Sequence, residues 1–172
     1  MTQKEPKIKE NDLGMNAIIR NLKDLKGKGV KVGVQGVKGT QIHDNSENKS
    51  VVDIAVVHEF GKGKIPERSF LRASYNKNKN KWLKENKKII NDQVLKSTTK
   101  SPLFKLLGQL GSQLQKDVRA YIRKGINPPN HPSTLKKKLK LTAKGNTKTP
   151  KPLIHTGQLI EAIHWAAQVK KK

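Results

Sequence analysis

One run of apolar residues at helical spacing dominates the pattern of this chain and defines the largest element around which a core can form. Its members recur every three or four positions, at Leu103, Leu107, Leu110, Leu114, Val118 and Tyr121. The run predicts a long amphipathic helix that begins after Ser101-Pro102, ends at Gly125, and packs in the core or at a subunit interface. Gly108 and Gly111 each cost about 1 kcal/mol relative to alanine inside a helix, so we expect another backbone to come close to them.

Shorter patterns predict two strands and two more helices. Residues 30–34 alternate valine with other residues, and residues 165–169 alternate in a similar way, which predicts a half-buried strand in each. Helical spacing predicts one helix that begins at Asn11 or Asp12. It also predicts a long helix over residues 68–97, with lysine and asparagine over most of its middle.

Residues 51–60 fit either a strand or a helix. Their β-branched residues suggest a strand, whereas Ser50 can cap a helix in which Ala55 and Phe60 share one face. We favour a short helix. In the same way, Thr156 can cap a short helix over residues 157–163.

The chain can bury only a small core for its length of 172 residues, because apolar residues make up 33% of it. A typical globular chain has about 45–50%. We predict one α+β domain, in which a small antiparallel or mixed sheet is packed by about three main helices and a basic loop lies between prolines. The predicted parts are a polar arm at residues 1–10, the α+β core at 11–125, a basic proline-rich insert at 126–152, and a helix and strand at 153–172 that complete the core and end in a basic tail.

Lysine carries most of a large positive charge. The chain has 37 Lys and Arg against 13 Asp and Glu, a net charge of +24, and only 5 of these basic residues are Arg. Lysine lacks the bidentate fork that reads bases, so this charge favours contact with a polyanion or an acidic partner without sequence readout. The insert, which can form one short helix from Ser133, has the most one-sided charge. We predict that its seven lysines contact DNA or an acidic partner: Lys136, Lys137, Lys138, Lys140, Lys144, Lys148 and Lys151.

No residue pattern predicts catalysis, a metal site or a cofactor. The chain has no cysteine, which excludes disulfides and thiolate chemistry. His58-Glu59 resembles half of a zinc-protease motif, but Lys62 stands where the second histidine would be. The remaining histidines are scattered and no carboxylate cluster joins them. We therefore expect a protein that is not an enzyme and binds no cofactor, with no membrane span and no secretory signal.

Two stretches resemble the motifs of a viral protein family. The first consists of residues 54–61, which read IAVVHEFG, and residues 64–72, which read KIPERSFLR. The second is residues 152–160, which read PLIHTGQLI. These resemble the signatures "IA-x-x-HEFG … IPARPFLR" and "PLIDTGQL" of the Mu-type virion-morphogenesis and tail-completion proteins of tailed bacteriophages. Ser69 and His155 stand where that family usually has proline and aspartate.

The resemblance implies a structural virion protein that completes the tail or joins head to tail in the neck. It implies assembly by protein–protein contacts with other neck, tail or connector proteins and with copies of itself, in a ring for which a hexamer is favoured. It also implies a location at the head–tail junction or in the tail, after assembly in the host cytoplasm, with nonspecific contact with genomic DNA. The fold and interface residues that the motifs imply are His58, Glu59, Phe60, Gly61, Ile65, Pro66, Arg68, Phe70, Leu71, Thr156, Gly157 and Leu159. The alternative is a basic protein that binds DNA or RNA without sequence specificity.

Overall fold

The fold combines helices with one small sheet, in the part of the chain that the computed structural model describes, residues 15–44, 48–92, 103–143 and 150–169. The elements follow in the order α1 (Met15–Leu25), β1 (Lys28–Val34), α2 (Val37–Thr40), α3 (Val51–Phe60), α4 (Leu71–Ile90), α5 (Leu103–Lys124), α6 (Pro132–Ala143), α7 (Gln158–Glu161) and β2 (Ile163–Val169). The predicted α+β class is confirmed.

The sheet joins the beginning of the described chain to its end. β1 and β2 pair antiparallel, with Val32 opposite Trp165 and Lys28 opposite Val169. One more backbone hydrogen bond, from Gln35 N to the carbonyl oxygen of Ala162 at 3.1 Å, extends the pairing beyond the strands. Both strands lie where the alternating patterns predict them.

The long helix α5 packs across both strands. The guanidinium of Arg119 donates to the carbonyl oxygen of Ile163 at 2.7 Å, and Gln115 Oε1 accepts from the N–H of Trp165 at 3.2 Å. The indole of Trp165 covers Gly111, where an added Cβ would lie 2.7 Å from Cγ of that ring. The nearest neighbour of Gly111 is thus an aromatic side chain and not the backbone that was expected, and at Gly108 an added Cβ would lie 3.9 Å from the same ring.

Helix α4 lies beside α5 and is joined to it by the indole of Trp82, whose Nε1 donates to Asp117 Oδ2 at 2.6 Å. An apolar groove of about 390 Å³ runs between the two helices and β1. Leu110, Leu114 and Val118 of the stripe line this groove. Leu107 and Val118 are buried. The apolar stripe of α5 thus contributes both to the buried core and to the wall of a groove.

Residues 51–60 form the helix α3, as favoured over a strand. Ser50 caps it, since its Oγ accepts from the N–H of Asp53 at 3.2 Å while the Asp53 carboxylate accepts from Ser50 N. Val51 of α3 is fully buried and joins Phe70, Ile122 and Ile163 in the centre of the core.

Some predicted boundaries shift, and some lie outside the described residues. The helix predicted over residues 68–97 begins at Leu71 and runs to Ile90, and the one-turn helix α2 was not predicted. The basic insert is not a loop throughout, because α6 occupies much of it. The N-terminal arm, both predicted caps of the first helix, residues 93–102 and the basic tail from residue 170 are not described. Among the described helices, none combines the length and apolar character needed to cross a membrane.

Candidate functional site

The first motif forms the end of α3 and a tight reversal of the chain. Gly61 follows the helix with a φ of 73°, a left-handed value that favours glycine. Lys62 and Ile65 then exchange two backbone hydrogen bonds of 3.0 Å, and the N–H of Arg68 donates to the carbonyl oxygen of His58 at 2.7 Å. The chain therefore returns against α3 before α4 begins.

Glu59 of the motif fastens the beginning of α4. The residue is 4% exposed, and its carboxylate accepts from the backbone N–H of Phe70, Leu71 and Arg72 at 2.7–3.0 Å. Ser69 Oγ and Arg72 Nε donate to the same carboxylate at 2.9 and 3.1 Å. Burial alone would raise the pKa of Glu59, but these hydrogen bonds outweigh it and lower the pKa. Glu59 therefore caps the N-terminus of α4 in its ionised form, and both oxygens of its carboxylate accept hydrogen bonds from the same chain.

Arg68 links the first motif to the proline-rich segment. It is 6% exposed, and its Nε and one terminal nitrogen donate to the carbonyl oxygens of Pro128 and Pro129 at 2.7 and 2.8 Å. The Asn127-Pro128 peptide bond is cis. Because a buried guanidinium needs acceptors, this pairing fixes residues 128–129 against the reversal.

Lys138 is held inside the protein, which corrects its assignment as a surface contact. It is 7% exposed, and its Nζ donates to the carbonyl oxygens of Lys151 and Ile154 at 2.8 and 2.6 Å. Burial, with the nearby charge of Arg68, lowers the pKa of Lys138 from 10.5 to about 8. Lys151 is near the end of the insert and Ile154 belongs to the second motif, so Lys138 fastens α6 to the beginning of that motif.

The other predicted contact lysines have different positions. Lys136, Lys137 and Lys140 are exposed on α6. Lys151 is also exposed, and its Nζ donates to the carbonyl oxygen of Arg123 at 2.7 Å. The remaining two, Lys144 and Lys148, lie outside the described residues. The described exposed lysines of α6 therefore form a smaller cationic face than the sequence predicted.

The second motif begins α7. Gly157 precedes it with a φ of 96°, and Leu159 of the helix is buried in the core. Gln158 pairs with Asp44, donating from Nε2 to Oδ1 at 2.9 Å and accepting from the Asp44 N–H at 3.3 Å. This pairing fixes α7 against the loop that precedes α3.

The two motifs meet at one pocket of about 380 Å³. The second motif contributes Leu153 and Leu159 to its wall, and the first contributes Ile54, His58, Lys64, Ile65, Pro66 and Arg68. Polar residues from outside the motifs also lie on the wall, among them His43, His131 and Lys138. Motifs that are about 80 residues apart in sequence thus share one surface cavity whose charged side chains are all cationic.

Electrostatics in this pocket keep His58 neutral. Burial, and then the nearby charges of Arg68, Lys138 and His43, lower the pKa of His58 from 6.5 to about 4. Its Nδ1 is buried without a hydrogen-bond partner. His155, whose pKa is also lowered by burial and by Lys138, has a buried Nδ1 with no partner too.

Sequence reasoning missed this convergence of histidines. It treated them as scattered, yet His43, His58 and His131 line one pocket. They come from a loop, from α3 and from the segment before α6, and no local spacing connects these three segments. Among the described residues, no group of three histidine, aspartate or glutamate side chains is placed to hold a metal ion.

Several motif side chains remain on the surface. Phe60 is 61% exposed under the guanidinium of Arg72, which lies 4.7 Å from its ring centre, and Ile65 and Val56 are also exposed. Phe70 is fully buried, and Leu71 packs against the core. The first motif therefore has a buried half that builds the fold and an exposed apolar half.

No protein-family model matches the chain, and comparisons with curated proteins and with solved structures likewise found no match.

Proposed function

We propose that the chain is a structural protein of a tailed-phage virion that completes the tail or joins head to tail in the neck. The support is the pair of motifs, their order in the chain, and the roles that their side chains have. The observation that carries the proposal is the fastening of backbone segments by Glu59, Arg68 and Lys138 around the place where the motifs meet. Polar side chains whose hydrogen bonds go to the backbone of the same chain suit an architectural role better than a reactive one.

Assembly into a ring with copies of itself, and contact with other neck or tail proteins, form part of this proposal. Large apolar side chains lie exposed at the first motif: Val56 and Phe60 are one turn apart on α3, and Ile65 is exposed in the reversal that follows. Leu83 of α4 and Phe104 of α5 are also largely exposed. Exposed apolar groups that lie together favour burial in a protein–protein interface over contact with water.

Gene inactivation in the encoding phage tests the proposal. Electron microscopy of the resulting lysate should show filled heads and separate or unfinished tails, and infectivity should return when the protein is supplied in trans. A matched defect in an unrelated capsid gene serves as the control for general loss of assembly. Normal tailed and infectious particles without the protein would refute the assignment.

A second candidate is a basic protein that binds DNA or RNA without sequence specificity. The observation that favours it is the exposed face of α6, where Lys136, Lys137 and Lys140 lie with no acidic residue in that helix. Such a protein would bind duplex tightly on its own and would be absent from purified particles. Duplex affinity of the isolated protein, measured beside its presence in virions, separates the two candidates.

A further inference from the structure

The pocket at which the two motifs meet has an unusual imbalance of charge. Arg68 and Lys138 are both almost completely buried on its wall, and Lys64 lies at the same wall. Among the described residues that line it, none is acidic. The acids adjacent in sequence to residues of the wall, among them Glu59 and Glu67, do not line the pocket. The Glu67 carboxylate accepts from the guanidinium of Arg72 at 2.8 Å, and the Glu59 carboxylate is turned to the N-terminus of α4. Cations that are withdrawn from water stabilise an anion strongly, because few water molecules screen them.

Polar groups remain available for such an anion. Arg68 has five N–H donors, and the carbonyl oxygens of Pro128 and Pro129 use two of them. His58 adds a buried Nδ1 without a partner. A bound oxyanion would accept hydrogen bonds from Arg68 and His58. It would also supply the negative charge that the described wall of the pocket lacks.

The apolar part of the pocket wall indicates which kind of molecule carries the anionic group. Ile54, Ile65, Pro66, Leu153 and Leu159 make most of the other surface of the pocket. A duplex presents its phosphates on the outside of a rod about 20 Å wide, which does not fit into a cavity of about 380 Å³. A single carboxylate between aliphatic groups fits both the cations and the apolar wall.

We infer that this pocket binds an acidic peptide segment of a partner protein, with one carboxylate beside Arg68, His58 and Lys64 and an aliphatic neighbour against Leu153 and Leu159. The pocket would bind such a segment whether or not the chain belongs to a virion. The interaction therefore adds a carboxylate-recognition site to a surface whose motif residues the resemblance implies for the fold and for interfaces.

A short peptide tests the inference on the full chain. The probe is Ac-Ala-Leu-Glu-Leu-Ala-NH2, and its control has glutamine in place of glutamate. Titration followed by NMR should shift the ring signals of His58 and His131 and the methyl signals of Leu159 with the first peptide. The glutamine peptide should bind at least tenfold more weakly. Equal binding of the two peptides would overturn the inference.

Two lysines in the same reversal provide matched variants. Lys64 lines the pocket, whereas Lys62 does not, and both are exposed. Lys64→Ala should weaken binding of the glutamate peptide about threefold to tenfold, and Lys62→Ala should leave it within twofold. Equal weakening by both would show general attraction to a basic surface and would overturn the site.

Separate titrations with inorganic phosphate and with a short DNA duplex test the choice of ligand. Both should leave the affinity of the glutamate peptide nearly unchanged at constant ionic strength. Displacement of the peptide by millimolar phosphate or by duplex, with the same shifts at His58, would show that the pocket binds phosphate groups. That result would overturn the inference of an acidic peptide ligand.

Discussion

Replacing Gly111 by alanine should destabilise the protein, whereas the same change at Gly108, one turn earlier in α5, should stabilise it. Alanine is favoured over glycine by about 1 kcal/mol in a helix interior, and both positions gain this amount. At Gly111 the new methyl group would lie 2.5 Å from Cε3 and 2.7 Å from Cγ of Trp165, well inside contact distance. At Gly108 the nearest atom of that ring is 3.9 Å away, which is ordinary contact.

The close contact at Gly111 determines the expected difference in stability between the two alanine variants. Overpacking of a filled site typically costs about 1–3 kcal/mol, so the two variants should differ in their free energy of unfolding by about that amount. Gly111→Ala should be less stable than the wild type by about 1 kcal/mol, and Gly108→Ala more stable by about 1 kcal/mol. Urea denaturation followed by far-ultraviolet circular dichroism measures both values.

Removing the indole provides the control. In a Trp165→Ala background the methyl group at Gly111 has no ring to meet. Gly111→Ala should then stabilise that background by about 1 kcal/mol, as helix propensity alone predicts. Stabilisation by Gly111→Ala in the presence of Trp165 would refute the packing of β2 on α5.

Three further predictions concern the polar residues. Glu59→Gln should lower the free energy of unfolding by about 3 kcal/mol, because the ionised carboxylate accepts hydrogen bonds that an amide cannot all replace, and thermal denaturation at pH 7 measures the loss. His58 is neutral in the folded protein down to a pKa of about 4 but takes up a proton near 6.5 when unfolded, so stability should fall as pH falls through this window. Urea titrations between pH 7 and pH 4 should show a smaller fall in His58→Gln, and an equal fall in both proteins would contradict the buried neutral ring. If the exposed lysines of α6 contact phosphates, changing Lys136, Lys137 and Lys140 to glutamine should lower the salt dependence of duplex binding. The slope of log affinity against log salt should fall in magnitude by up to about 2.7. An unchanged slope would exclude that contact.

The elements that could be predicted from the sequence are those whose conformation depends on residues close to one another in the chain. The periodic leucines of α5, the alternating valines of β1, and Ser50 before α3 each determine the conformation of nearby residues. Residues 51–60 show how a local signal resolves an ambiguity, because a cap favours a helix even where β-branched residues are frequent.

The parts that were not predictable depend on contacts between distant segments. Lys138 stands in a run of lysines that all look alike in sequence, and only the carbonyl oxygens of Lys151 and Ile154 turn it inward. Trp165 reaches Gly111 because an antiparallel pairing brings the end of the chain across α5. The pocket beside His58 likewise forms from several separate segments, and no spacing along the chain indicates their meeting.

The presence of the protein in purified particles tests the proposed virion role most directly. Quantitative mass spectrometry of salt-washed, infectious virions should find the chain at a fixed low copy number relative to the major capsid protein. The same number should persist after washing at high salt, because protein–protein contacts that bury apolar groups such as Phe60 resist screening of charge. Absence from washed particles, or a copy number that varies with salt and with DNA content, would contradict a structural place in the neck.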